Sequence, residues 1–218
     1  MMRQPYQNHL FWGSHAPLST LTSAGLLIMA SSRTAFAFIA LGVLVWVYGL
    51  TALVCCFARP FFPERGGNLI AVFLSALFGG LYLLVLTLTS PFLAIETALI
   101  IALAPVSCIG SEAVNRVKSM APDEGLLRVV FEALTLGGII LALALIREPL
   151  SYGTLSLPGG RRGIIELFGT GGSDGSGGAL FSPIRIIGGT AGALLLLGYG
   201  IALFRRFRSR YTRMEENP

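Results

Sequence analysis

"TAFAFIALGVLVWVYGLTALVCCFA", Thr34 to Ala58, is the stretch whose reading decides the fold. It carries no charged residue. As a helix rising 1.5 Å per residue it reaches about 37 Å, more than the ~30 Å hydrocarbon core of a bilayer. A backbone in lipid finds no water to bond to, so a run like this closes its own hydrogen bonds as a helix. The strand alternative fails because the period-two alternation of a membrane barrel is missing.

Five further apolar segments flank it. With it they give six spans, at about residues 18–30, 34–58, 67–89, 92–110, 125–146 and 186–204. The whole chain agrees: 54% of its 218 residues are hydrophobic and 12% are charged, against about 25% charged in a soluble domain. The expectation is an all-α integral membrane protein, a single membrane domain over residues 1–218 with six transmembrane helices. Nucleic acid is excluded as a partner, because the arginines behind the net charge of +5 sit beside apolar runs, where the positive-inside rule places them. The start "MMRQPYQNHLFWGSHAPL" is too long and polar for a signal-peptide n-region, so no cleaved leader is expected.

Six spans put both termini on one side. Residues 205–218 form a basic tail with five arginines, placed in the cytoplasm. That side then holds eleven basic residues, including Arg3, Arg59, Arg65, Arg116, Lys118 and Arg128. The other side holds Arg33, Arg147, Arg161, Arg162 and Arg185. The bias predicts cytoplasmic termini. Residues 147–185 become a long non-cytoplasmic loop, ending in a Gly/Ser run with the composition of a flexible linker. Within it "GIIELF", Gly163 to Phe168, is apolar enough to lie on the membrane surface or against a partner.

The first and fourth segments are short or interrupted, the first by Ser and Thr, the fourth by Pro105, Ser107 and Gly110. Interrupted spans at matching places in two halves suggest two inverted three-helix repeats with broken first and fourth helices. Glu96 and Glu132 lie within spans, where a carboxylate persists if paired, protonated or lining a polar path. Each has two readings: an interfacial residue reaching water, or part of an ion path. Arg128, one turn before Glu132, offers a pairing without transport. Cys108 follows Pro105, so it reads either as a small buried hydrophobe or as a ligand at a disturbed helix. Cys55 and Cys56 sit in an unbroken run and read as apolar filling. All three cysteines lie in apolar surroundings, so a secreted disulfide framework is not expected.

The order "CIGSEAVNRVKS", Cys108 to Ser119, followed by "FEALTLGGIILALALIREPLSYGTL", Phe131 to Leu155, resembles the Rnf/Nqr membrane-subunit family. "SSRTAFAFIALGVLV", Ser31 to Val45, looks like the family's opening of its second segment. The residues carrying the likeness are Cys108, Glu112, Ala113, Arg147, Glu148, Gly153, Thr154 and Leu155, with Ser151 at the first of two late glycines. With cytoplasmic termini the chain looks closest to the RnfE/NqrD branch. The resemblance implies a subunit of a bacterial inner-membrane complex coupling electron transfer to Na⁺ or H⁺ translocation, with no catalysis alone. It implies a homologous RnfA/NqrE-like partner, together with flavin and iron–sulfur subunits. It also implies a [2Fe–2S] cluster shared between the two homologous subunits, with Cys108 as an iron ligand. Ser23 stands where the family has its first-repeat cysteine, and no cysteine precedes Cys55. The rival expectations are a small inverted-repeat permease without a redox centre, and a structural subunit that has lost its cluster site.

Overall fold

A computed structural model describes residues 21–58, 67–110, 122–159, 163–168, 185–199 and 202. The elements in chain order are α1 (Leu21–Ala30), α2 (Thr34–Phe57), α3 (Gly67–Thr89), α4 (Pro91–Gly110) and α5 (Pro122–Tyr152). A hairpin of β1 (Leu155–Pro158) and β2 (Ile164–Phe168) follows, then α6 (Arg185–Gly188) and α7 (Thr190–Tyr199). Four helices, α2 to α5, are long and apolar enough to cross a membrane. The protein is a mostly helical membrane protein. Of the two remaining expected spans, the described residues show ten-residue helices, α1 and α7, each about 15 Å long. The outer parts of those spans, the Gly/Ser run and the 205–218 tail lie outside the described residues.

The long apolar run is the hub. One stripe of α2, including Ala40, Val43, Val47, Thr51 and Cys55, is buried, at the three- and four-residue spacing that lines one helix face. α2 packs most extensively against α5, and also touches α1, α3, α4 and β1. Gly137 lets α5 approach: a Cβ there would lie 2.2 Å from Leu41 Cδ1 and 3.2 Å from Leu41 Cα. α2 and α5 run antiparallel, since the start of α2 meets the end of α5. α3 is the most exposed long helix, with Leu69, Phe73, Leu84 and Leu88 all facing outward. An apolar face of this kind is suited to lipid.

The α3–α4 turn is a single residue, Ser90. Its carbonyl accepts Ala94 N–H at 3.0 Å, and Pro91 occupies the first helical position, where a missing N–H costs nothing. The turn between α3 and α4 is therefore as tight as two helices allow.

Three expectations are corrected. First, α4 is not interrupted at Pro105: the helix continues to Gly110 with the proline inside it. Proline cannot bond the carbonyl of Ile101. Its ring instead packs against Gly79 of α3, where an added Cβ would come within 2.8 Å of Pro105 Cγ. The break within a segment falls instead in the last one, at Gly189 between α6 and α7. Second, α5 does not end near Ile146 but runs to Tyr152, carrying Arg147 and Glu148 into the protein. Gly153, at φ +66°, ends it in the left-handed conformation that glycine adopts without a steric penalty. Third, the all-α class stands, but the loop after α5 is not wholly irregular. β1 and β2 form an antiparallel hairpin in which Leu157 pairs with Ile165 and Pro158 with Ile164.

Candidate functional site

Two buried polar clusters sit at different levels of the bundle. The first is where α1 ends, α2 begins and α5 ends. Arg147 donates through Nη1 to Ile28 O and Ser31 Oγ, both at 3.0 Å. Its Nε donates to Ile187 O at 3.0 Å, and Nη2 to Gly188 O at 2.8 Å and Gly189 O at 3.0 Å. One guanidinium thus satisfies carbonyls at the C-terminal ends of α1 and α6, the ends that attract positive charge. The planar fork of donors suits this work, and a lysine ammonium does not reproduce it.

Glu148 serves the opposite kind of helix end. Its Oε2 accepts from Thr34 N at 2.7 Å and from Thr34 Oγ1 at 2.6 Å. Ser156 Oγ accepts from Ala35 N at 3.4 Å, and Thr34 Oγ1 also contacts Ser156 O. The first two N–H groups of α2 are therefore capped from α5 and β1, because Arg33 at the N-cap position makes no side-chain cap bond. All five N–H donors of the Arg147 side chain are used within the described residues, and the cluster reads as the fastening of the fold.

The second cluster lies inside the bundle, towards the other ends of α2 and α4. Tyr48 Oη and Ser107 Oγ are hydrogen-bonded at 3.0 Å across α2 and α4. Cys108 and Cys55 are each 1% exposed, and Glu132 on α5 is 7% exposed. Cys55, Cys108 and the residues flanking Glu132 on its helix, Val129 and Ala133, belong to one buried core. Thr51 is fully buried, and its Oγ1 has no hydrogen-bond partner among the described residues. No disulfide joins the cysteines.

The expected site residues are thus distributed unevenly. Cys108 and Glu132 are both buried within the bundle. Glu96 is not brought to them: it is exposed on the outer face of α4, between Phe92, Ile95 and Leu99, which are 70%, 78% and 55% exposed. Glu96 and Glu132 therefore do not line one path within the chain. Ser23 lies in α1, and its side chain is outside the described residues, as are Glu112 and Ala113.

Sequence reading set Cys55 aside and passed over Tyr48 and Thr51. The signal was present: positions 48, 51 and 55 recur at helical spacing and lie on one face. It was missed because a helix face means little until its neighbours are known.

Chemically, the cluster joins thiols, hydroxyls and a carboxylate in a dry interior. Thiols suit iron. Among the described residues, no group of three or more His, Cys, Asp or Glu side chains is arranged to hold a metal ion. The chain matches no protein-family model, and no curated protein matches it.

Proposed function

We propose that the protein is a membrane subunit of an Rnf/Nqr-type complex, coupling electron transfer to movement of Na⁺ or H⁺. The burial of Cys108 and Glu132 in one bundle supports this reading, since it places a metal-binding type of group and a cation-binding one inside the same core. The sequence likeness around Cys108 and from Arg147 to Leu155 supports it. In this reading the chain has six spans and two inverted repeats. The contacts of α1 with α4 and of α2 with α5 are those expected when equivalent helices face each other across a pseudo-twofold axis. The orientation has both termini in the cytoplasm of a bacterial inner membrane. A homologous membrane subunit, with flavin and iron–sulfur subunits, completes the assembly.

A [2Fe–2S] cluster bound here supplies one-electron transfer across the bilayer, and four thiolates complete its outer ligands. From this chain Cys108 would ligate iron, with Ser23 as a weaker oxygen ligand in place of one thiolate, and the remaining ligands would come from the partner. Glu132 would hold a cation more firmly when negative charge arrives beside it, since opposite charges attract strongly in a low-dielectric interior. Hydroxyls of Tyr48, Thr51 and Ser107 would supply polar atoms in the same region.

The test is made on the purified complex. Cys108→Ala is expected to lose iron and electron transfer together. Glu132→Gln is expected to keep iron while ion movement slows by at least about tenfold, roughly 1.4 kcal/mol in the barrier. Ion movement unchanged in Glu132→Gln would remove the carboxylate from the coupling.

A second reading, the structural subunit without a cluster, is favoured by the continuous α4 and by the lack of any cysteine before Cys55. Iron content in which Cys108 has no part separates it from the first.

A further inference from the structure

The hairpin after α5 is turned inside out relative to one in a water-soluble protein. Ser156 of β1 is 1% exposed and faces the start of α2, where its Oγ accepts from Ala35 N. Successive strand residues point to opposite faces, so the leucines on either side of Ser156 turn away from the bundle. Leu157 pairs with Ile165 across the hairpin, on that outer face. Ile165 and Leu167 are 46% and 49% exposed. Ser156 is buried against α2, and Ile165 and Leu167 are presented outward.

The level of this face is fixed by its neighbours. Only Gly153 and Thr154 separate α5 from β1, and β1 packs on the first turn of α2. At the end of α5, Tyr152 lies under Arg33, with the guanidinium 5.8 Å from the ring centroid. Tyrosine and arginine together are typical of the boundary between hydrocarbon and headgroups. The outward face of α5 is apolar up to that boundary: Leu145, Ile146 and Leu150 are each at least 40% exposed. The apolar face of the hairpin continues this belt just beyond the end of α5.

We propose that the hairpin is a membrane-surface anchor, with Ile165 and Leu167 inserted among lipids at the headgroup–acyl boundary. Burial of an apolar face about 5–10 Å deep is the usual depth for such interfacial elements. The anchor holds β1 against α2 and so keeps the caps of α2 in place. The inference depends on the membrane character of the helices and not on the redox reading.

The experiment uses the full chain in phosphatidylcholine vesicles. Leu167→Trp is introduced with Trp12→Phe and Trp46→Phe, leaving one tryptophan; Ile165→Trp is a second reporter in the same background. The expected result is fluorescence quenched at least about twofold by lipid brominated at carbons 6 and 7, and less by lipid brominated at 11 and 12, as a shallow position requires. Acrylamide in the water should quench weakly. Strong acrylamide quenching with no effect of brominated lipid would place the face in water and overturn the proposal. Protection from both quenchers would show a protein-covered face and overturn it equally. The reading stands only if both reporters agree.

Discussion

Arg147 and Glu148 stand side by side and serve helix ends of opposite polarity. Arg147 collects carbonyls from the ends of α1 and α6, and Glu148 caps the start of α2. Removing Glu148 leaves the Thr34 N–H buried and unbonded, a cost of about 1–3 kcal/mol. Glu148→Ala is expected to lower the unfolding midpoint in detergent clearly. Glu148→Gln, which keeps an accepting oxygen, should lose less. Equal losses in the two variants would show that the cap bond is not what matters. Arg147→Lys should behave nearly as badly as Arg147→Ala, since one ammonium cannot reach carbonyls on two helices. None of this was legible in the sequence. The pair stood out only through a family likeness, because its partners lie far away: Thr34 is 114 residues from Glu148. Read locally, a charged dipeptide after an apolar run marks the end of a helix, and here the helix ran on.

Among the elements, the long apolar helices were the legible part. The α2 run, the Ser90–Pro91 turn and the extent of α4 follow from hydropathy and proline position. Boundaries set by tertiary bonds did not. The hairpin was missed although its signal is plain: a Gly-Gly-Arg-Arg-Gly connection, residues 159–163, stands between two apolar stretches. It was hidden by the assumption that everything between membrane helices is loop. Helix contact supplies a matched test. Gly137→Ala places a methyl group against the Leu41 backbone and side chain, whereas Gly138 has nothing within 4 Å. Gly137→Ala should destabilise the protein by about 1–3 kcal/mol, the usual cost of overpacking. Gly138→Ala should be neutral or mildly stabilising. Thermal unfolding of the two variants checks this, and equal midpoints would mean that α2 and α5 are not packed as closely as described. Gly79→Ala against Gly80→Ala repeats the comparison at the Pro105 contact.

For the whole molecule, the Arg147–Glu148 cluster fastens one end of the antiparallel α2–α5 pair, and Tyr48, Cys55, Ser107, Cys108 and Glu132 lie buried away from it, towards the other end. Of that site, Cys108 and Glu132 could be named from the sequence, but their shared burial could not, because it depends on how the helices pack around α2. The charge bias predicts cytoplasmic termini. Reporter fusions at Pro218 and within Gly171–Gly178 should report opposite sides of the membrane, and a cytoplasmic Gly-rich segment would invert the topology. The most direct test of the central claim is the electron paramagnetic resonance spectrum of the reduced, purified complex, recorded with the native chain and with Cys108→Ala. A reduced two-iron signal present in the native complex and absent from the variant, with both chains inserted in the membrane, is the result predicted. The same signal at the same intensity in both would contradict it.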